Sequence, residues 1–159
     1  MHIRIIAVGK IKEKYLTQGI NEYVKRLSPH AKVEIIEVSD EKTSDHLSET
    51  ELKLIKDKEG EKISRYLKDG TYLIALDIQG KNLSSEEMAE MISNLGVRGK
   101  SDITFLIGGS VGLADSLISK ADFRLSFGRM TFPHQLMRLI LVEQLYRSFK
   151  IIERHPYHK

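Results

Sequence analysis

Short apolar, β-branched runs alternate with helix-periodic stretches from one end of this sequence to the other, and that alternation constrains the fold more than any other feature. Ile3-Arg4-Ile5-Ile6-Ala7-Val8-Gly9 is a run closed by glycine, as suits a buried strand. Leu16, Ile20, Tyr23, Val24 and Leu27 then recur at helical spacing, and Pro29 lies just beyond the stop. Val33 to Val38 is a second strand. A long helix begins near Ser48, carries Leu52, Ile55, Ile63, Tyr66 and Leu67 on one face, and ends at Gly70. The dense charges of residues 40–65 read as its solvated face. Thr71 to Asp77 is a third strand, apolar almost throughout and so expected inside the sheet with both faces covered. Ser84-Ser85-Glu86-Glu87 has the form of a capping box for a helix bearing Met88, Met91, Ile92 and Leu95. Asp102 to Gly109 is the fourth strand, a short helix lies around Leu113 to Ala121, and Phe123 to Phe127 is the fifth strand. Pro133 takes the place of a first helical residue, and the last helix runs to about Ile152. Strands separated by helices along the whole chain predict an α/β fold with a mainly parallel sheet flanked by helices.

A chain of 159 residues fits one domain, 1–159, with no repeat or linker inside it. Nothing approaches a membrane span, and the start leads straight into a strand without a signal-peptide core. The absence of Cys excludes disulfides, thiolate metal sites and a cysteine nucleophile together. A soluble, cytoplasmic protein is the expectation. The net charge of +3 is unevenly spread: residues 98–159 carry 10 basic and 5 acidic side chains, against 15 and 17 in residues 1–97. A basic excess of this kind suits a domain that meets phosphates, and it also occurs on proteins that never touch nucleic acid.

Ligands of an open parallel sheet collect outside the carboxyl ends of its strands. Three such ends are distinctive: Leu76-Asp77-Ile78-Gln79-Gly80, Gly108-Gly109-Ser110-Val111-Gly112, and Phe127-Gly128-Arg129-Met130-Thr131-Phe132-Pro133. Glycines there let a ligand approach the backbone and its free N–H groups. The Gly108 loop is neither a dinucleotide fingerprint nor a P-loop, so a structural tight turn and a cofactor loop both fit it. Asp77 stands alone as a carboxylate, and no Ser/His/Asp constellation is spaced for hydrolysis. His155 and His158 have only Glu153 near them in sequence, too few ligands for zinc; no metal is expected. The ending Arg154-His155-Pro156-Tyr157-His158-Lys159 suits either a frayed terminus or RNA contact by stacking and charge.

Leu136, Met137, Leu139, Ile140, Leu141, Val142, Leu145, Tyr146 and Phe149 surround most of the last helix. A helix apolar nearly all round is covered on more than one side, and a second subunit is the expected cover. Glu143 and Arg147, four apart, predict an ion pair, with Arg147 aimed at a ligand as the alternative.

Leu76-Asp77-Ile78-Gln79-Gly80-Lys81, Phe105-Leu106-Ile107-Gly108-Gly109-Ser110-Val111-Gly112, Met130-Thr131-Phe132-Pro133-His134, Glu143-Gln144-Leu145-Tyr146-Arg147 and the ending His155-Pro156-Tyr157-His158-Lys159 together resemble the smallest members of the SPOUT family of RNA methyltransferases, in motif order and over the whole chain. The resemblance implies a deep trefoil knot in the C-terminal part, which no sequence pattern would suggest because knots are nearly absent from proteins. It implies a homodimer whose two subunits complete the active site, with S-adenosylmethionine held in the knot. It implies methylation of N3 of a pseudouridine in 23S ribosomal RNA of the assembled ribosome. By position, the cofactor-binding residues are Leu76, Gly108, Phe127, Gly128, Arg129, Met130, Thr131 and Phe132, with the backbone rather than the side chain mattering at Arg129. Tyr157 and His158 match the substrate-side ending and are the expected catalytic residues. N3–H must lose its proton, and His158, Tyr157, Arg154 and Arg147 are the groups available to take it or to stabilise the anion. Two other functions fit parts of the pattern. A non-catalytic RNA-binding module would use only the basic C-terminal half, and another nucleotide-binding enzyme would prefer ATP or NAD.

Overall fold

Alternating side chains along each strand build one core on each face of a single sheet. In the computed structural model, which describes residues 1–159, the elements run β1 (His2–Val8), α1 (Lys14–Leu27), β2 (Lys32–Val38), α2 (Glu49–Ser64), β3 (Tyr72–Asn82), α3 (Ser85–Val97), β4 (Asp102–Ile107), α4 (Asp115–Lys120), β5 (Phe123–Ser126) and α5 (His134–Ile152). All neighbouring strands pair parallel, in the order β2-β1-β4-β3-β5. Ile3, Ile5 and Ala7 of β1 join Ile103, Phe105 and Ile107 of β4 under α1, α3 and α5. Ile6, Val8 and Leu106 face the other way, toward Ile63 of α2 and Leu117 of α4. The α/β fold expected from the alternation is the observed one.

Several boundaries differ from the sequence expectation by a residue or two, β4 ending at Ile107 and not Gly109 and β5 at Ser126 and not Phe127. Those of α2 and β3 differ by more, each for a local reason. α2 stops at Ser64, well short of Gly70: the Ser64 hydroxyl donates back to the Gly60 carbonyl (2.8 Å), and the next N–H groups turn more tightly, Tyr66 onto Ile63 and Leu67 onto Ser64. Tyr66 is therefore exposed, and Gly70, at φ +80, serves the turn into β3. β3 does not end at Asp77 but resumes to Asn82, because Leu125 of β5 pairs with both Leu76 and Lys81 and residues 77–80 bulge outward. Gly80 permits that approach, since a Cβ there would lie 2.6 Å from the Arg124 carbonyl oxygen. Pro133 is the residue that caps α5 rather than its first turn.

The capping box of α3 is complete: the Ser84 hydroxyl accepts from the Glu87 N–H (3.1 Å) and the Glu87 carboxylate accepts from the Ser84 N–H (2.7 Å). Ser84→Ala is expected to cost about 1 kcal/mol, read as a lower urea midpoint at unchanged slope.

Much of the apolar circumference of α5 is used within the chain. The helix lies between α1 and α3, with Leu141, Val142 and Leu145 fully buried and Leu139 packed on Gly19 of α1. Leu141→Glu is thus expected to unfold the chain rather than separate two folded subunits, because it leaves a charge buried without a partner. Circular dichroism at neutral pH distinguishes the two outcomes.

Candidate active site

The chain passes from β3 to β4 through α3 on one face and from β4 to β5 through α4 on the other. Its direction across the sheet reverses at β4, and a crevice forms outside the carboxyl end of such a strand. A cavity of ≈ 340 Å³ opens there, lined by the ends of β3, β4 and β5 and by the start of α5. That volume suits a small ligand, and the apolar walls with a few polar groups have the character of a binding site.

Each loop around the cavity is held by contacts of its own. Gly108 to Gly112 forms a tight turn closed by the Gly112 N–H on the Gly109 carbonyl (3.1 Å), with Gly112 at φ +84. A Cβ on Gly108 would lie 2.7 Å from the Gly112 carbonyl carbon and 2.9 Å from the Leu113 nitrogen. All five residues line the cavity, so the turn is structural and ligand-facing at once. In the β3 bulge, Asp77 accepts from Arg124 Nε (2.9 Å) and from the Gln79 N–H (3.1 Å). The lone carboxylate of the sequence is therefore a clip between β3 and β5. Ser126, buried, donates to the Ile78 carbonyl (3.0 Å) and accepts from the Gly128 N–H (3.2 Å), tying the third loop to the first.

Of the eight expected cofactor-binding residues, Leu76, Gly108, Phe127, Gly128, Met130, Thr131 and Phe132 line this one cavity. Arg129 is exposed and contributes no lining side chain; Met130 stands at the rim, 78% exposed. Two further lining residues, His134 and Met137, come from α5. Sequence reasoning gave neither a role at the site: Met137 counted only toward the apolar circumference of the last helix, and His134 lay inside a quoted motif.

Arg138 fixes the start of α5 against the sheet. It is 1% exposed, and its guanidinium donates to Glu37 (2.6 Å) and to the Gly9 carbonyl (3.0 Å). Gly9, at φ +94, brings the end of β1 so close to His134 that a Cβ there would lie 3.3 Å from Nε2. Burial first, and Arg138 second, hold the His134 pKa below its usual 6.5, with Asp40 opposing. The folded state then binds fewer protons at His134 than the unfolded state. The stabilisation is fully present above pH 6.5 and declines as pH falls through the lowered value. Melting temperatures from pH 7.5 to 5 are expected to drop on the acid side, with a shallower slope in His134→Gln.

The C-terminal tail is docked rather than frayed. The Tyr157 ring stands edge-on to Tyr146 with centroids 4.9 Å apart, and its hydroxyl donates to Glu143 (3.0 Å) and lies 3.5 Å from the Tyr23 hydroxyl. Burial and these hydrogen bonds push the Tyr157 phenol far up from its usual 10, so it stays protonated and acts as a donor. Arg147 makes the expected pair with Glu143, Nε to Oε1 at 3.0 Å, and also reaches His158. A guanidinium only donates. His158 Nδ1, 3.2 Å from Arg147 Nη1, is therefore the acceptor, and the imidazole proton sits on Nε2, 2.7 Å from Glu86. His155 is exposed and apart, and no group of three or more potential metal ligands gathers. The tail and the cavity are separate within one chain. Met137, at the cavity, and Arg147, at the tail, are ten residues apart on α5, about 15 Å along the axis.

Residues 1–158 match the family model described as "Predicted SPOUT methyltransferase". The chain is 58% identical to the ribosomal RNA large subunit methyltransferase H of Clostridioides difficile, 57% to that of Alkaliphilus oremlandii and 55% to that of Enterococcus faecalis, each over the full length of both proteins. Among solved structures, a putative methyltransferase of Legionella pneumophila, described as a complex with bound SAM, aligns with 94% of this chain and 66% of its own at 12% identity; its TM-score of 0.49 is too low to add weight. With a family model spanning all but the last residue and full-length relatives above half identity, this chain belongs to the SPOUT methyltransferase family.

Proposed function

We propose that this protein is a cytoplasmic, S-adenosylmethionine-dependent methyltransferase that modifies N3 of a pseudouridine in 23S ribosomal RNA of the assembled ribosome. It acts as a homodimer of one-domain subunits, each with a C-terminal trefoil knot. The observation that carries this reading is the apolar cavity at the β4 reversal, walled by glycine-loop backbone, in a chain so similar to proteins named as ribosomal RNA large subunit methyltransferases.

The residues present fit the methyl donor. Leu76, Phe127 and Phe132 would flank a neutral adenine, and backbone groups of the Gly108 and 127–132 loops would hydrogen-bond its edge. When bound, the donor supplies a methyl group already activated on a sulfonium, so no metal is required. The chain's own tasks are to hold the attacking nitrogen in line, to exclude water and to remove the N3 proton. His158 is the base in this reading: its Nδ1 lone pair becomes free once Arg147 lets go. Tyr157, held protonated, orients Glu143 and the substrate side, and Arg147 offers a cation to the N3 anion. Because the tail lies some way along α5 from its own cavity, the tail of one subunit serves the cavity of the other.

Calorimetry with S-adenosylmethionine, followed by methyl transfer to ribosomes from a strain lacking the modification, tests this directly. Micromolar binding and transfer to N3 are expected. Preference for ATP or NAD, or RNA binding without any affinity for the donor, would replace this function with one of the two others considered above.

A further inference from the structure

Two carboxylates beside the cavity have counter-charges, and a third does not. Asp77 is paired with Arg124 and Glu37 with Arg138, while burial holds His134 toward its neutral form. Glu59 of α2 is the third. Sequence placed it on a solvated face, yet it is 3% exposed. Its Oε2 accepts from the Glu41 N–H (2.9 Å), whereas Oε1 is buried with no partner. That oxygen stands directly behind the glycine turn: a Cβ on Gly109 would lie 3.5 Å from it, and Gly109 lines the cavity. A single glycine separates a free carboxyl oxygen from the ligand space.

The groups facing Glu59 do not neutralise it. Asp40 and Glu41, on the β2–α2 connection, are themselves acidic. Lys62, on the same helix, is engaged by Glu41 (2.9 Å) and by Ser39. The glycine turn and Val8 at the end of β1 contribute no charge. Burial accordingly pushes the Glu59 carboxyl up from its usual 4.5.

We propose that Glu59 determines specificity for the charge of the cavity's occupant: its carboxylate, behind Gly109, favours the cationic methyl donor over the uncharged product. The proposal rests on the reading of the cavity as the S-adenosylmethionine site. The donor carries a sulfonium, an ammonium and a carboxylate, net +1. On transfer the methyl–sulfur bond breaks, the sulfur keeps the electron pair, and a methyl–N3 bond forms while the N3 proton goes to the base. The remaining thioether has no net charge. A cation arriving beside Glu59 favours its ionised form, so donor binding expels a proton and product binding does not. Two unit charges separated by roughly 10 Å at an effective dielectric near 20 give about a tenfold preference.

The test is calorimetry on the full chain with S-adenosylmethionine and with S-adenosylhomocysteine, from pH 5 to 7, where both ligands keep their ammonium, in buffers of different ionisation enthalpy. The wild type is expected to release a proton on binding the donor only, with donor affinity rising with pH and product affinity flat. Glu59→Gln is expected to lose about tenfold in donor affinity, keep its product affinity and release no proton. Equal weakening for both ligands, or proton release that persists in Glu59→Gln, would overturn the proposal. If that variant fails to fold, His134→Gln decides, because His134 lines the same cavity. Proton release with the donor alone that persists in this variant supports the proposal, and loss of that release, or equal release with donor and product, overturns it. A wild type that binds neither ligand overturns the assignment of the cavity, and this proposal with it.

Discussion

Deleting Tyr157 to Lys159 is expected to lower methyl transfer to ribosomes by orders of magnitude while donor affinity changes little. The cavity is lined without any help from these residues, so binding has no reason to fail. What the deletion removes is the neutral imidazole between Arg147 and Glu86 and the phenol that donates to Glu143. A general base contributes about 10²–10⁴-fold, so His158→Ala alone falls in that range if His158 takes the N3 proton. Tyr157→Phe keeps the edge-on packing against Tyr146 and loses only the hydrogen bonds; its smaller loss separates orientation from proton transfer. Single-turnover transfer rates beside calorimetric affinities make the measurement. Near-normal transfer by the truncated protein would show the docked tail to be structural only.

Gly108→Val is expected to abolish donor binding with the rest of the fold intact. Along the sequence, glycine is explained here by close approach of a ligand to the backbone. The structure locates the collision elsewhere, in the turn's own backbone at Gly112 and Leu113. A branched side chain cannot be accommodated there without opening the Gly109–Gly112 turn. Gly112→Ala is the informative contrast: nothing lies within 4 Å of its new Cβ, and its cost comes from φ +84 alone, about 1 kcal/mol. A native circular dichroism spectrum with no calorimetric signal is the expected outcome for Gly108→Val. Retained micromolar affinity would move the ligand away from this loop.

What could be read along the chain is what local chemistry decides. Short apolar, β-branched runs marked the five strands and helical spacing marked the longer helices, because each element must bury apolar side chains whatever its neighbours are. Ser84 and Glu87 declared the start of α3, because a cap satisfies backbone donors within one turn. The three glycine-bearing strand ends could be picked out, and they meet around one cavity, since a parallel sheet gathers its loops at one end. Tertiary structure decided the rest through residues far apart in sequence. β3 resumes to Asn82 only because Gly80 admits the Arg124 carbonyl. The tail docks because Glu86, 72 residues earlier, meets His158. Glu59 sits among lysines and glutamates with the signature of a wet surface. It is buried because the β2–α2 connection and the glycine turn close over it, and burial of a polar group depends on which distant segments arrive, not on its neighbours along the helix.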